Sequence, residues 1–206
     1  ISNDIKTPMN VIVGMTAIGR EETDNPEKMA ECLEQIDTAS RFLMELLNDL
    51  VDMSKIEMGR FRLHPKAYAF SDFMGAIRVM MEQSCLEKGI IFQMTEEDIN
   101  LNMMVDPMRF GQLFFNLLSN AVKFTPEGGV VSFRICNYAV HNNQFSADYV
   151  VKDTGIGMSE EFQKLLFVPF SKEKRDVAQR RHGAGLGLAI VRNIVDLMGG
   201  TIDIKS

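Results

Sequence analysis

A run of apolar residues between positions 29 and 53 constrains this chain more than any other feature of its sequence. These residues alternate in steps of three and four, the heptad spacing of a helix with a buried seam: Met29, Cys32, Ile36, Ala39, Leu43, Leu46, Leu50 and Met53. A second row, called here the outer apolar row, consists of Leu33, Leu47 and Val51. The sequence therefore predicts a long helix that buries more than one side.

Boundary signals place this helix in a hairpin. Asn25 is a suitable N-cap with Pro26 at the first helical position, and Gly59 is a suitable C-terminal stop. Residues 1 to about 20 predict a preceding helix that Pro8 interrupts. Two helices cannot cover so wide an apolar stripe, so the hairpin is expected to pair with a second copy as a four-helix bundle, which makes the chain a homodimer.

From about residue 61 the pattern changes to mixed helices and strands. The first predicted elements are a helix around 72–88, a strand IIFQM and a helix from Asp106 and Pro107 to about Lys123. Two paired strands follow, VVSFRIC and ADYVVKD, with NYAVHNNQ in or near their connection. The last predicted element is a helix from about Leu186 to Met198. This order predicts an α+β fold: a helical hairpin over 1–60, then an α/β sandwich over 61–206.

Composition excludes several classes of function. The net charge is −6, from 22 basic and 28 acidic side chains, which disfavours nucleic-acid binding. The cysteines (Cys32, Cys85 and Cys136) are far apart and are interpreted as buried thiols in a reducing compartment. No apolar run reaches the roughly 18 to 20 residues that cross a bilayer. Both ends look cut, because Ile1 lies in what is predicted as the middle of a helix and GGTIDIKS starts a strand with nothing after it. We therefore expect a cytoplasmic fragment, C-terminally truncated, with any membrane attachment in missing segments.

The helix before Lys123 has a predicted core face and an unusual polar side. The core face consists of Phe110, Leu113, Phe114, Leu117 and Ala121. Arg109, Gln112, Asn116, Asn120 and Lys123 are spaced three, four, four and three residues apart, within an arc of about 80°. A solvated face would favour Glu and Lys, whereas asparagine is a poor helix former. Its amide oxygen suits a magnesium–phosphate site, and Lys123 could bind phosphate or complement the helix dipole. Both interpretations stay open at this point.

Two glycine-rich segments suggest close approach of backbone to a ligand. In DTGIGM, Asp153 could accept a hydrogen bond from an exocyclic amine beside Gly155 and Gly157, although a tight turn explains the same residues. GAGLGL, from Gly183 to Leu188, opens a helix and could bind phosphate, with helix–sheet packing as the alternative. Residues 171–182 between them hold five basic and two acidic side chains, which suits either a flap over a polyanion or a solvated loop.

Taken together and in order, these segments resemble the sensor histidine kinases of two-component signalling. SNDIKTPM resembles the histidine box, NLLSNAVKFTP the asparagine box, DTGIGM and GAGLGL the two glycine boxes, and FVPF the phenylalanine box. GMTAIG and DMSKIEMG are most similar to hybrid kinases, which often continue into a receiver domain. The resemblance implies a dimerisation and phosphotransfer hairpin, a Bergerat-type domain that binds ATP and Mg²⁺, and a response regulator receiver domain as partner.

The resemblance also implies roles for individual residues. Asn120 is similar to the Mg²⁺ ligand, Asn116 lines the same site, and Lys123 contacts phosphate. By the same resemblance, Asp153 binds the adenine amine, and Gly155 and Gly157 shape the base pocket. The glycines that hinge the lid and hold the phosphates are Gly183, Gly185 and Gly187. The lid is anchored by Phe167 and Phe170. Asp4 corresponds to the general base, and Thr7 to the position that orients water in dephosphorylation of a partner.

Asn3 departs from the family, which has the phosphorylated histidine at this position. An amide nitrogen has its lone pair delocalised into the carbonyl, so Asn3 offers no nucleophile comparable with imidazole. The asparagine is consistent with an engineered substitution, with a natural chain that lacks its own acceptor, or with a partner chain that supplies the histidine. A non-kinase dimeric scaffold or a response-regulator phosphatase that uses Asp4 and Thr7 is the alternative function. An ATPase of the chaperone or topoisomerase type explains the nucleotide motifs but not the hairpin.

Overall fold

The computed structural model describes residues 2–95, 99–142, 144–173 and 185–206. The chain divides into two compact units. Unit 1 combines Ile1–Phe61 with Val168–Ile190, and unit 2 combines Arg62–Phe167 with Val191–Ser206.

Unit 1 contains the predicted helical hairpin, formed by α1 (Ser2–Glu21) and α2 (Pro26–Glu57). The Asn25 side chain accepts a hydrogen bond from Lys28 N at 3.1 Å, which confirms the predicted N-cap. Gly59 adopts a φ of 63° just after α2, a conformation that favours glycine, so the predicted stop is also confirmed. The predicted interruption at Pro8 is wrong, because α1 continues through this buried residue. Proline removes one backbone donor, and the packing of the helix tolerates that loss.

The hairpin buries one apolar seam and leaves another exposed. Cys32, Ala39 and Leu46 are buried members of the predicted heptad seam. The outer apolar row has exposed fractions of 58% at Leu33, 42% at Leu47 and 52% at Val51. A single chain therefore covers only part of the apolar stripe of α2.

Unit 2 contains two small sheets with helices packed on them. The strands are β1 (Lys66–Ala69), β2 (Ile91–Met94), β3 (Asn102–Val105), β4 (Val130–His141) and β5 (Gln144–Asp153). β1 pairs with β3 antiparallel, while the second sheet has the order β2-β4-β5, with β2 parallel and β5 antiparallel to β4. The helices of the rest of the chain are α3 (Phe70–Glu87), α4 (Pro107–Phe124), α5 (Glu160–Gln163) and α6 (Gly187–Leu197), the last of which spans the boundary between the units.

The strands differ from the prediction in three places. Most of NYAVHNNQ lies in the strands, because β4 continues to His141 past a bulge between Cys136 and Ala139. Asn137 has a φ of 51° at this bulge. The short strands β1 and β3 were not predicted. Residues 201–206 were expected to start a strand and have no regular secondary structure.

An aromatic cluster holds α4 against the sheet. Phe114 of α4 lies 5.5 Å from Phe133 and 4.8 Å from Tyr149, measured between ring centroids, and burial raises the pKa of Tyr149 to about 12. Leu118 is fully buried, whereas the predicted core residue Leu117 is only half-buried. The core face of α4 is thus rotated slightly, and the polar residues lie outside it.

Candidate functional site

The N-terminus of α4 is held by one carboxylate. Oδ1 of Asp106 accepts hydrogen bonds from the backbone N–H groups of Met108 (3.1 Å) and Arg109 (3.2 Å), and Oδ2 accepts one from His64 N (3.0 Å). Burial alone would raise the pKa of Asp106, but these donors and the Arg109 charge outweigh it and hold the pKa below its ordinary value. The carboxylate therefore joins the start of α4 to the segment that precedes β1.

The polar side of α4 carries the predicted site residues on one continuous helix. Asn116, Asn120 and Lys123 are each half-buried, and Lys123 Nζ lies 5.1 Å from the centroid of the Phe124 ring. At the start of the same stripe, Arg109 donates a hydrogen bond to Gln112 at 2.7 Å. The part of the stripe nearest the end of α4 thus presents two amides and an ammonium group.

The loop formed by residues 153–157 contacts the end of α4 directly. Ile156 N donates to the carbonyl oxygen of Phe124 at 3.3 Å, and Gly155 N donates to Asp153 Oδ1 at 2.8 Å. A Cβ atom on Gly155 would lie 2.7 Å from both Asp153 Oδ1 and Phe124 O, so only glycine fits without a shift. Gly157 has a φ of 63°, which also favours glycine. The structure therefore brings the loop of the predicted base-binding residues to the helix of the predicted phosphate-binding residues.

The predicted lid residues fall in different parts of the structure. Phe170 N donates to Gly185 O at 2.9 Å, and both residues have positive φ values, 65° and 72°. A Cβ atom on Gly185 would lie 2.6 Å from Ser171 O. Phe167 lies in unit 2, where Arg192 Cζ is 5.7 Å from its ring centroid. Gly187 is the first residue of α6, and Gly183 lies outside the described residues.

The start of α1 carries the three predicted catalytic positions. Asn3 and Thr7 are exposed, and Thr7 Oγ1 donates to the Asn3 carbonyl oxygen at 2.9 Å. Asp4 is half-buried and accepts a hydrogen bond from Lys172 Nζ at 2.6 Å. This contact, which lowers the pKa of Asp4 below its ordinary value, makes the carboxylate a weaker base. The sequence pointed to a basic segment around Lys172 but gave no sign of its partner.

The donor set limits how a metal could be held. Among the described residues, no three or more His, Cys, Asp and Glu side chains form a group that could hold a metal ion. An amide oxygen such as that of Asn120, supplemented by phosphate oxygens and water, fits the preference of Mg²⁺ for hard oxygen ligands. The C-terminal end of α4 also favours cations through its dipole. The residues present thus fit a magnesium nucleotide better than a metal held by protein alone.

Among the helices in the described ranges, none is both long enough and apolar enough to cross a bilayer.

Comparisons with known proteins identify both parts of the chain. Residues 1–59 match the His Kinase A (phospho-acceptor) domain family, and residues 105–206 match the histidine kinase-, DNA gyrase B-, and HSP90-like ATPase family. The whole chain is 34% identical over 211 residues to the autoinducer 2 sensor kinase/phosphatase LuxQ of Vibrio vulnificus (strain YJ016) and spans 24% of its length. It is 38% identical over 212 residues to the virulence sensor protein BvgS of Bordetella bronchiseptica and spans 17% of its length.

A solved structure shares the fold. The histidine kinase ThkA, in complex with the response regulator protein TrrA, has a TM-score of 0.62 and 20% identity, and the match covers 97% of this chain and 53% of that one. The two domain families occur here in the order of the sequence motifs, and the hairpin and the α/β domain have the corresponding folds. The chain belongs to the sensor histidine kinases of two-component signalling.

Proposed function

We propose that this chain binds Mg-ATP at the end of α4 and forms the catalytic core that transfers phosphate to a histidine and then to a response regulator. The observation that carries the proposal is the contact between α4 and the 153–157 loop, through Ile156 N and Phe124 O. This contact supports a single site in which one element binds the base and the other binds the phosphates. Bound Mg²⁺ would neutralise phosphate charge during transfer.

Each residue of the site has a proposed role. The Asn120 amide oxygen coordinates Mg²⁺, Asn116 lines the phosphate site one turn earlier, and Lys123 pairs with a phosphate. Asp153 accepts a hydrogen bond from the adenine amine. The residues proposed to shape the base pocket and the lid are Gly155, Gly157, Phe167, Phe170, Gly183, Gly185 and Gly187.

Asn3 occupies the proposed acceptor position on the exposed side of α1. Its amide nitrogen is no substitute for the imidazole lone pair, so the chain is not phosphorylated at this residue. Asp4, the proposed base, would need to separate from Lys172 to regain its ordinary basicity. The loss therefore concerns the acceptor, whereas the nucleotide site keeps its residues.

The partners follow from the exposed surfaces and the relatives. We propose a homodimer through the outer apolar row, which a single hairpin leaves exposed. A receiver domain, in the same protein or another, is the proposed phosphate acceptor, which the solved complex of ThkA with TrrA supports. The proposed location is the cytoplasm, with any membrane attachment in other segments of a longer protein.

The decisive test compares the protein that carries this chain with its Asn3→His variant in the presence of Mg²⁺ and γ-labelled ATP. We expect an acid-labile label only on the variant, because its imidazole restores the missing nucleophile. Label on neither protein would contradict the kinase proposal. Label on the unchanged protein would show that position 3 is not the acceptor site.

Nucleotide binding tests the site itself. Asn120→Asp and Asp153→Asn are expected to weaken magnesium-dependent ATP binding, measured by calorimetry. The first adds a negative charge beside the phosphates, and the second replaces the carboxylate acceptor with a neutral amide. Asn102→Asp, an exposed asparagine on β3, is the control and is expected to bind as the unchanged chain does. Unchanged affinity in both site variants would reject the assignment.

A response-regulator phosphatase, acting on a dimeric scaffold, is the second candidate function. The specific observation is the exposed Thr7 hydroxyl one turn after Asn3, and the relative LuxQ is named a sensor kinase/phosphatase. Thr7→Ala should then abolish dephosphorylation of a phosphorylated receiver domain. Thr16→Ala is a matched control, since Thr16 is exposed on the same helix and makes the same type of bond, to Ile12 O at 2.7 Å. Equal activity in the two variants would remove this candidate.

A further inference from the structure

Lys88 lies just after α3, and its side chain reaches the end of another helix. Its Nζ donates hydrogen bonds to the carbonyl oxygens of Val122 (2.6 Å), Lys123 (2.8 Å) and Thr125 (2.7 Å). These carbonyls belong to the last turn of α4 and to its C-cap residue. An ammonium group has three donors, so the number of carbonyls equals the number of its N–H groups.

The neighbouring carbonyls at this helix end are bonded as well. Ala121 O accepts from Thr125 through the backbone N (3.1 Å) and Oγ1 (2.7 Å), and Phe124 O accepts from Ile156 N (3.3 Å). A helix ordinarily ends with carbonyls that have no partner inside the helix. Here Lys88 binds three of them and the 153–157 loop binds a fourth, so both contacts act on the same short stretch of backbone.

The backbone beside Lys88 is attached to the turn that follows α4. Gly128 N donates to Gly89 O at 2.8 Å, and Ile91 N donates to Gly129 O at 2.9 Å. Gly89 has a φ of 65°, and a Cβ atom there would lie 2.9 Å from Glu127 Cγ. The backbone that follows the half-buried Lys88 is therefore attached to the turn after α4, to the same helix end that its ammonium group binds.

We infer that Lys88 is a positioning residue of the nucleotide site. It holds the end of α4 in register with the 153–157 loop, so that Asn120 and Lys123 are presented to the phosphates. The same register places the loop that carries Asp153 against Phe124 O. This inference rests on the proposed nucleotide function, and Lys88 acts through α4 without contacting the nucleotide.

The geometry favours lysine over arginine at this position. An ammonium is a compact charge whose donors point in three directions, whereas a guanidinium is a planar fork. Lys88→Arg keeps the charge near the negative end of the α4 dipole, so it preserves folding, but it cannot reach all three carbonyls in the same way. Lys88→Met removes the charge and leaves three partly buried carbonyls without this donor.

The test measures the Kd for Mg-ATP by calorimetry, at a temperature where circular dichroism shows each protein to be folded. We expect Lys88→Met to raise the Kd about tenfold and Lys88→Arg to raise it by a smaller factor. Lys66→Met, at an exposed lysine on β1, is the control and is expected to keep the original Kd. Ammonium chloride should lower the Kd of Lys88→Met by supplying a small cation to the three carbonyls, whereas tetramethylammonium chloride at equal ionic strength should not.

The outcomes separate this inference from the function on which it rests. If the unchanged chain binds Mg-ATP and both Lys88 variants have the same Kd as the unchanged chain, Lys88 has only a structural role and the inference is wrong. If Lys88→Met does not fold, the Arg variant decides alone, and an unchanged Kd again overturns the inference. If the unchanged chain binds no Mg-ATP, the proposed function fails first and the inference fails with it.

Discussion

At the scale of single residues, Gly155 lies close to both its own loop and the end of α4. A Cβ atom would approach a backbone oxygen, Phe124 O, to 2.7 Å, and this atom also accepts the hydrogen bond from Ile156. We predict that Gly155→Ala separates the loop from α4 and weakens Mg-ATP binding about tenfold or more, because a steric conflict with backbone has no flexible side chain to relieve it. Calorimetric titration of the variant measures this effect.

Gly111→Ala is the matched control for that substitution. Gly111 lies on α4, and nothing comes within 4 Å of a Cβ atom built there. Alanine should stabilise the helix by up to about 1 kcal/mol and leave nucleotide affinity unchanged. Equal affinity in the two glycine variants would show that the close approach at Gly155 has no part in binding.

Asp106 makes the free energy of unfolding depend on pH in the acid range. Its folded pKa lies below the ordinary value of 3.8, so the ionised carboxylate stabilises the folded state above that pH, and this contribution is lost as the pH falls through the folded pKa. We predict that Asp106→Asn lowers the free energy of unfolding by about 1 kcal/mol at neutral pH and that the difference shrinks below pH ~4. Urea unfolding across this range measures it, with the exposed Asp203→Asn as control. A difference that is independent of pH would contradict the charge argument.

At the scale of elements, α2 carries an acidic row next to its apolar seam, formed by Glu45, Asp49 and Asp52. Burial, and then the charges of Asp52 and Glu45, raise the pKa of Asp49 to about 6. The folded state therefore binds a proton at Asp49 more tightly than the unfolded state does. The contribution of Asp49 to the free energy of unfolding is most favourable at low pH and is lost as the pH rises through the folded pKa. The acidic row makes α2 sensitive to pH in the range just below neutrality.

We predict that Asp49→Asn stabilises the chain at pH 7 and has much less effect at pH 4, because asparagine never acquires the disfavoured charge. Denaturant unfolding at the two pH values measures the change. Glu34→Gln, an exposed position on the same helix, is the control and is expected to show no such dependence. The same stabilisation at both pH values would argue that packing, not charge, is responsible.

At the scale of the whole molecule, the outer apolar row predicts assembly. Leu33, Leu47 and Val51 are exposed in the single chain, and apolar residues at this spacing are typical of a helix-bundle interface. We predict that Leu47→Glu converts the dimer to a monomer, because a charge would be buried in the bundle without a partner. Light scattering after size-exclusion chromatography measures the mass. Val79→Glu, on α3 with an exposed fraction of 72%, is the control and should stay dimeric.

The predictability of the candidate site differs from residue to residue. The polar stripe of α4 was predictable because residues three and four apart share a helix face, and the Asp106 cap was predictable from its place before a proline. The half-burial of Leu117 and the full burial of Leu118 were not, since a small rotation of the helix against the sheet decides between neighbours. The four-residue strands β1 and β3 were too short to show an alternating pattern.

Local pattern in the sequence was sufficient to predict the helical hairpin and the order of the motifs, and the resemblance of those motifs to the kinase family predicted the membership. These features depend on residues close together in the chain, where helical spacing, caps and glycine-rich loops leave direct signatures. The tertiary structure alone decided the contacts of Lys88 with α4, of Lys172 with Asp4 and of Ile156 with Phe124. Each contact joins segments that are distant in the chain. Such pairs arise from the packing of the folded chain, and the identity of either residue does not predict its partner.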